Sequence, residues 1–124
     1  MACNVCLWAA DDVHNRFFVA SEVRARTSHE CCECRQPIPS GSRYRREVGK
    51  SDDGEMFSYK TCVICAEIRD VFTCGNAFYF TTLWDEMEQQ AFPELTTASE
   101  CFVDLSPAAK AVVMDRWRAW KGLP

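Results

Sequence analysis

The residues best able to do chemistry in this chain are its cysteines. "HECCECRQPIPSGSRYRR", residues 29–46, sets Cys31, Cys32 and Cys34 within four positions behind His29. Cys31 and Cys34 form a C-x-x-C pair, and Cys62 and Cys65 form another, with 27 residues between Cys34 and Cys62. Four thiolates surround Zn²⁺ tetrahedrally at about 2.3 Å, and the C-x-x-C spacing lets one tight turn deliver two of them. A shell of four protein ligands leaves no position for water, and thiolates damp the Lewis acidity of the metal. Such a site supplies folding energy rather than catalysis. Cys32 is one residue too close to Cys34 for a good knuckle and reads as a small buried residue or a thiol beside the site. His29 reads as a capping or packing residue.

Cys3 and Cys6 repeat the spacing, and Cys74 and Cys101 are the remaining cysteines able to complete a second four-thiolate zinc site. The competing reading is a frayed N-terminal pair with two core cysteines. Nine cysteines would leave one unpaired in a pure disulfide framework, and closely spaced pairs in a reducing compartment favour metal. A cytoplasmic location is therefore expected, in keeping with the lack of any apolar run near the ~18 residues of a membrane span and of a basic lead-in at the N-terminus.

Catalytic signatures do not appear. His14 and His29 are the only histidines, and no nucleophile elbow, phosphate-binding loop, dinucleotide fingerprint or H-E-x-x-H motif occurs. The acids Asp52, Asp53 and Glu55 read as a solvated turn. The expectation is a protein that is not an enzyme.

Charge is uneven. The net charge is −4, yet residues 23–50 carry seven basic side chains against three acidic ones, and residues 85–104 carry six acidic and no basic ones. Arg43, Arg45 and Arg46, with Tyr44 available for stacking, are the candidate contacts to a nucleic acid or an acidic partner. The same arginines on a solvated hairpin would also discourage edge-to-edge strand pairing.

These side chains need a scaffold, and 124 residues suffice for a single domain, 1–124, that buries roughly two-thirds of its unfolded surface. The fold class is small α+β. A zinc module spans about residues 28–73: a knuckle at Cys31–Cys34, strands over "SRYRREV" and "EMFSYKT" joined by the "GKSDDG" turn, then a helix opened by the second pair. Ile64, Ile68 and Val71 supply that helix with an apolar stripe. "NRFFVASEVRARTS" adds an N-terminal strand. A C-terminal helical extension covers about 80–122. There "GNAFYF" reads as a short strand, and a helix with a Thr82/Asp85 start signal stops before Pro93. A last helix runs from Ser106 to Gly122, with Ala109, Val113, Trp117 and Trp120 on one face.

Knuckle, hairpin and ligand-bearing helix in this order resemble the treble-clef class of zinc finger. Residues 25–70, and the tract "CGNAFYFTTLWDEMEQ" after them, also resemble small zinc-binding proteins encoded by tailed phages and prophages. Their pattern falls here on Ala25, Arg26, His29, Cys31, Glu33, Cys34, Ile38, Gly41, Tyr44, Thr61, Cys62 and Cys65. The resemblance implies an accessory protein that binds and inhibits a complex of the bacterial host, anti-CRISPR proteins being one example. The alternative is a nucleic-acid-binding finger that uses the arginine-rich hairpin.

Overall fold

The computed structural model describes Val5, Leu7 and residues 18–50, 53–73 and 78–123. Its centre is an antiparallel three-stranded sheet in the order β1-β4-β5, formed by β1 (Phe18–Arg24), β4 (Arg43–Lys50) and β5 (Met56–Cys62). Tyr44 stands opposite Val23 on one side and Cys62 on the other, so the register of β4 places the second cysteine pair at the end of the sheet. The hairpin turn between β4 and β5 contains Gly54 at φ +87°, a conformation that side chains with a Cβ adopt only under strain. The expected hairpin and added N-terminal strand are both present.

Two short strands, β2 (His29–Glu30) and β3 (Pro37–Ile38), pair with each other on either side of the first knuckle. Between them the chain turns tightly. The Arg35 amide donates to the Cys31 carbonyl at 3.0 Å, and the Cys31 amide donates to the Gln36 carbonyl at 3.0 Å. Arg35 holds φ +63°, a left-handed position that a residue other than glycine occupies at a cost of roughly 1–2 kcal/mol.

Helix α1 (Val63–Phe72) follows β5 without a linker. Its buried face is Cys65, Ala66, Ile68, Arg69 and Phe72. The stripe expected from Ile64, Ile68 and Val71 is thus rotated: only Ile68 is fully buried, and Ile64 and Val71 pack at the margin. Burial of Cys65 fixes the rotation of the helix and carries an arginine inward with it.

The C-terminal part departs further from expectation. Residues 78–80 form no strand. Phe80 stacks on Tyr59 of β5, with ring centroids 4.3 Å apart, and the segment lies against the hairpin through its rings. The hydroxyl of Thr82 donates to the Tyr79 carbonyl instead of capping α2 (Leu83–Glu86). The helical path continues past α2 through a π-helical turn, Met87–Ala91, into a 3₁₀ turn, Phe92–Glu94, that includes Pro93. Proline fits there because the first positions of a turn need no amide donor. After α3 (Glu100–Val103), helix α4 (Pro107–Lys121) begins and ends as its sequence predicts. Ser106 accepts from the Ala109 amide, and Gly122 closes the helix at φ +75°.

One core joins these elements. Phe72 of α1, Met87, Phe92, Ala109 and Val113 are almost wholly buried, and the amide of Leu7 donates to the Phe72 carbonyl at 2.8 Å. Each large apolar side chain buried this way contributes about 1.5–3 kcal/mol. Among the described residues no helix is long and apolar enough to cross a membrane.

Candidate metal centre

The knuckle contributes Cys31 and Cys34, the end of β5 contributes Cys62, and the first turn of α1 contributes Cys65. Their four sulfurs all lie within 4.8 Å of one another, and Cys34 and Cys62 are 4.0 Å apart. A tetrahedron with metal–sulfur bonds of about 2.3 Å has sulfur–sulfur edges of about 3.8 Å, close to the Cys34–Cys62 separation, so the four sulfurs form a possible metal site. Cys31 and Cys65 are buried, and Cys34 and Cys62 are half-buried.

Backbone amides are aimed at the sulfurs. Cys31 Sγ accepts from the Glu33 amide at 3.4 Å and from the Cys62 amide at 3.3 Å, while Cys62 Sγ accepts from the Cys65 amide at 3.4 Å and caps α1. Such donors favour thiolate over thiol. Without a cation the four sulfurs compete for charge. Hydrogen bonds from Cys62 and then Cys65 hold the Cys31 thiol far below its usual range. The Cys65 thiol is pushed far up by its bonds to Cys31 and Cys62 and by burial. Cys62, bonded first to Cys31, is pushed up to about 12. A shared dication removes this conflict by letting every sulfur ionise.

The neighbours of the cage have separate roles. Cys32 is half-buried and its sulfur lies 3.4 Å from Thr61 Oγ1. Burial, followed by the charges of Glu33 and Cys31, outweighs the Thr61 bond and raises its thiol to about 11. It is a neutral thiol beside the cage. His29 packs its ring against Tyr44, with centroids 5.4 Å apart, and is not among the clustered ligands.

A buried ionic network behind the cage was not foreseen. Arg69, 1% exposed, donates from Nη1 to Glu33 Oε2 at 2.8 Å and from Nη2 to Glu47 Oε2. Thr61 Oγ1 donates to Glu47 Oε1 at 2.7 Å, and the other Glu33 oxygen accepts the Leu83 amide at 3.0 Å. The guanidinium also lies 4.4 Å from the centroid of the Phe78 ring. Burial alone would lower the arginine, but its bonds and charge pairing with Glu47 and Glu33 hold it above its usual range. A signal was present in the sequence: Arg69 is four residues after Cys65, on the face that must turn inward if Cys65 binds metal.

The remaining predicted site residues meet different surroundings. Arg45 forms a bidentate pair with Asp70 on α1, at 2.8 and 2.6 Å. Tyr44 is buried and cannot offer a free stacking face, whereas Arg43 and Arg46 are exposed. Cys101 is buried and disulfide-bonded, so it has no thiolate to offer. Cys3, Cys6 and Cys74 of the expected second metal site lie outside the described residues. No protein family, curated protein or solved structure matches this chain.

Proposed function

We propose that this chain is a non-enzymatic, zinc-stabilised interaction protein built on a treble-clef-like module. It acts by binding and inhibiting a protein or nucleoprotein complex of a bacterial host cell. The observation that carries this reading is the cage of four sulfurs within 4.8 Å, two from a knuckle and two from the junction of a hairpin and a helix. Zinc is the proposed ion because a compact all-thiolate tetrahedron suits its softness and lack of geometric preference. With all four positions taken by sulfur, the metal braces the fold, and function falls to the surface around it.

Two features support a binding role. Charge is polarised along the chain, between the arginines near the knuckle and the acids of residues 85–104, of which Asp85, Glu88, Glu94 and Asp104 are exposed. Trp120 of α4 is 40% exposed and rests on Phe92, as an amphipathic anchor for a partner would. The resemblance to phage-encoded proteins directs the search to defence or nucleic-acid-processing complexes.

The test is affinity capture of the tagged, zinc-loaded chain from a bacterial host, followed by assay of the captured complex with and without added protein. The expected result is one stoichiometric complex with reduced activity. Substrate turnover by the isolated chain, or full activity of the complex at saturating protein, would overturn the reading.

A further inference from the structure

The end of β1, the loop after it and the adjoining part of β4 line an open cleft of about 830 Å³. Arg24, Arg26, Arg43 and Arg46 line it, with Glu22 as the single acid, and His29 and Tyr44 add rings to the wall. The acid is already engaged, since Glu22 Oε1 lies 4.0 Å from Arg43 Nη1. Arg24 donates to the Gly41 carbonyl at 3.3 Å, which fixes its direction without neutralising it. Arg26 and Arg46 are exposed and have no ion pair among the described residues. On the α1 side of the sheet the arginines are paired: Arg45 is held by Asp70, and Arg69 by Glu33 and Glu47. Arg26 and Arg46 thus leave positive charge in this concavity without a carboxylate partner among the described residues.

We infer that this cleft binds the phosphates of a single-stranded nucleic acid. The inference rests on the interaction-protein reading and specifies the chemistry of one contact. Guanidinium forks match phosphate oxygens in pairs, and several along one large cleft, Arg24, Arg26 and Arg46 among them, suit successive phosphates better than one small anion. The surface is concave. Duplex readers push a helix or a two-stranded ribbon outward into a groove, whereas a cleft with basic walls admits a single strand. Tyr44 is buried against His29, so the affinity comes from phosphate contacts rather than base stacking, and base preference is weak. The overall charge of −4 does not oppose this, because screening within roughly 8–10 Å leaves the local arginines dominant.

Fluorescence anisotropy of the full-length, zinc-loaded chain with labelled oligothymidylate and oligouridylate tests the assignment across a salt series. Neutralising about three phosphates of a single strand gives a log–log salt slope near −2, a loss of roughly tenfold to twentyfold between about 50 and 200 mM salt. The Arg26→Ala/Arg46→Ala double variant should bind about tenfold more weakly, with the slope shallower by about 1.4. Arg118→Ala, which removes the same kind of charge from α4 outside the cleft, should change neither. Circular dichroism and zinc content confirm that each variant is folded. Absent or salt-independent binding by folded, zinc-loaded protein would overturn the inference, as would tighter binding to duplex than to single strands. An unchanged double variant would do the same. None of these results alters the zinc content or the capture of a protein partner, so failure here is distinguishable from failure of the broader reading.

Discussion

Arg69 of α1 reaches back to Glu33 in the first knuckle, 2.8 Å from Nη1 to Oε2, with both side chains almost completely excluded from solvent. The pair ties the middle of the helix that carries Cys65 to the turn that carries Cys31 and Cys34. Because Glu33 also accepts the Leu83 amide, the same carboxylate fastens the start of the C-terminal helices to the metal module.

Removal of the arginine leaves two buried carboxylates without a counter-ion. Breaking one partner of a buried ionic set costs about 3–5 kcal/mol. Arg69→Ala is therefore expected to lower the urea midpoint sharply, and replacing the whole set, Arg69→Met with Glu33→Gln and Glu47→Gln, should recover much of the loss. A change within about 0.5 kcal/mol for Arg69→Ala would match an ordinary surface substitution instead.

Cys32 should react slowly for a half-buried thiol. A thiol at about 11 instead of 9 carries roughly a hundredfold less thiolate at neutral pH. Its raised value means that the folded state favours the protonated form, so its stabilising contribution is complete below pH 9 and fades as the pH rises through 11. The stronger nucleophilicity of a more basic thiolate offsets part of this, so thiol-exchange kinetics on the zinc-loaded chain should show Cys32 reacting about tenfold more slowly than a free cysteine.

Metal uptake should release fewer than four protons near neutral pH. Cys31, held far down by Cys62 and Cys65, has already lost its proton, whereas Cys62 and Cys65 are held up and must give theirs to solvent. Calorimetry in buffers of different ionisation enthalpy counts them. Affinity should fall as pH drops, because protons then compete with metal for sulfur, and chelation should melt the knuckle.

The last helix depends on a carboxylate from α1. Glu67 accepts from the Ser106 amide at 2.6 Å and from its hydroxyl at 2.8 Å, while that hydroxyl caps α4. Loss of a cap costs about 0.5–2 kcal/mol. Glu67→Ala should therefore destabilise the chain by about that much, with the amides of Ser106 and Ala109 showing the largest gain in hydrogen exchange.

The sequence was most readable where a local rule was strong. Ligand spacing pointed to the cage, the glycine-containing turn to the hairpin, and Ser106 with Gly122 to the limits of α4. It was least readable where tertiary contacts set the conformation. Nothing local to "NAFYF" says that Phe80 finds Tyr59 and thereby forgoes a strand, or that Thr82 turns its hydroxyl to Tyr79. The rotation of α1 was accessible in principle. Had Cys65 been used as the inward reference, Arg69 would have emerged as a buried charge in need of partners. Sequence proximity groups Arg45 with Arg43 and Arg46, whereas in the fold α1 supplies Asp70 beside Arg45 alone, and Arg43 and Arg46 line a separate cleft.

Zinc analysis of the freshly purified chain beside its Cys62→Ser/Cys65→Ser variant tests the cage most directly. The difference should be one zinc ion per chain, with X-ray absorption of the lost ion giving four sulfur neighbours at about 2.3 Å. Equal metal content in the two proteins, or a shell of nitrogen and oxygen, would contradict it.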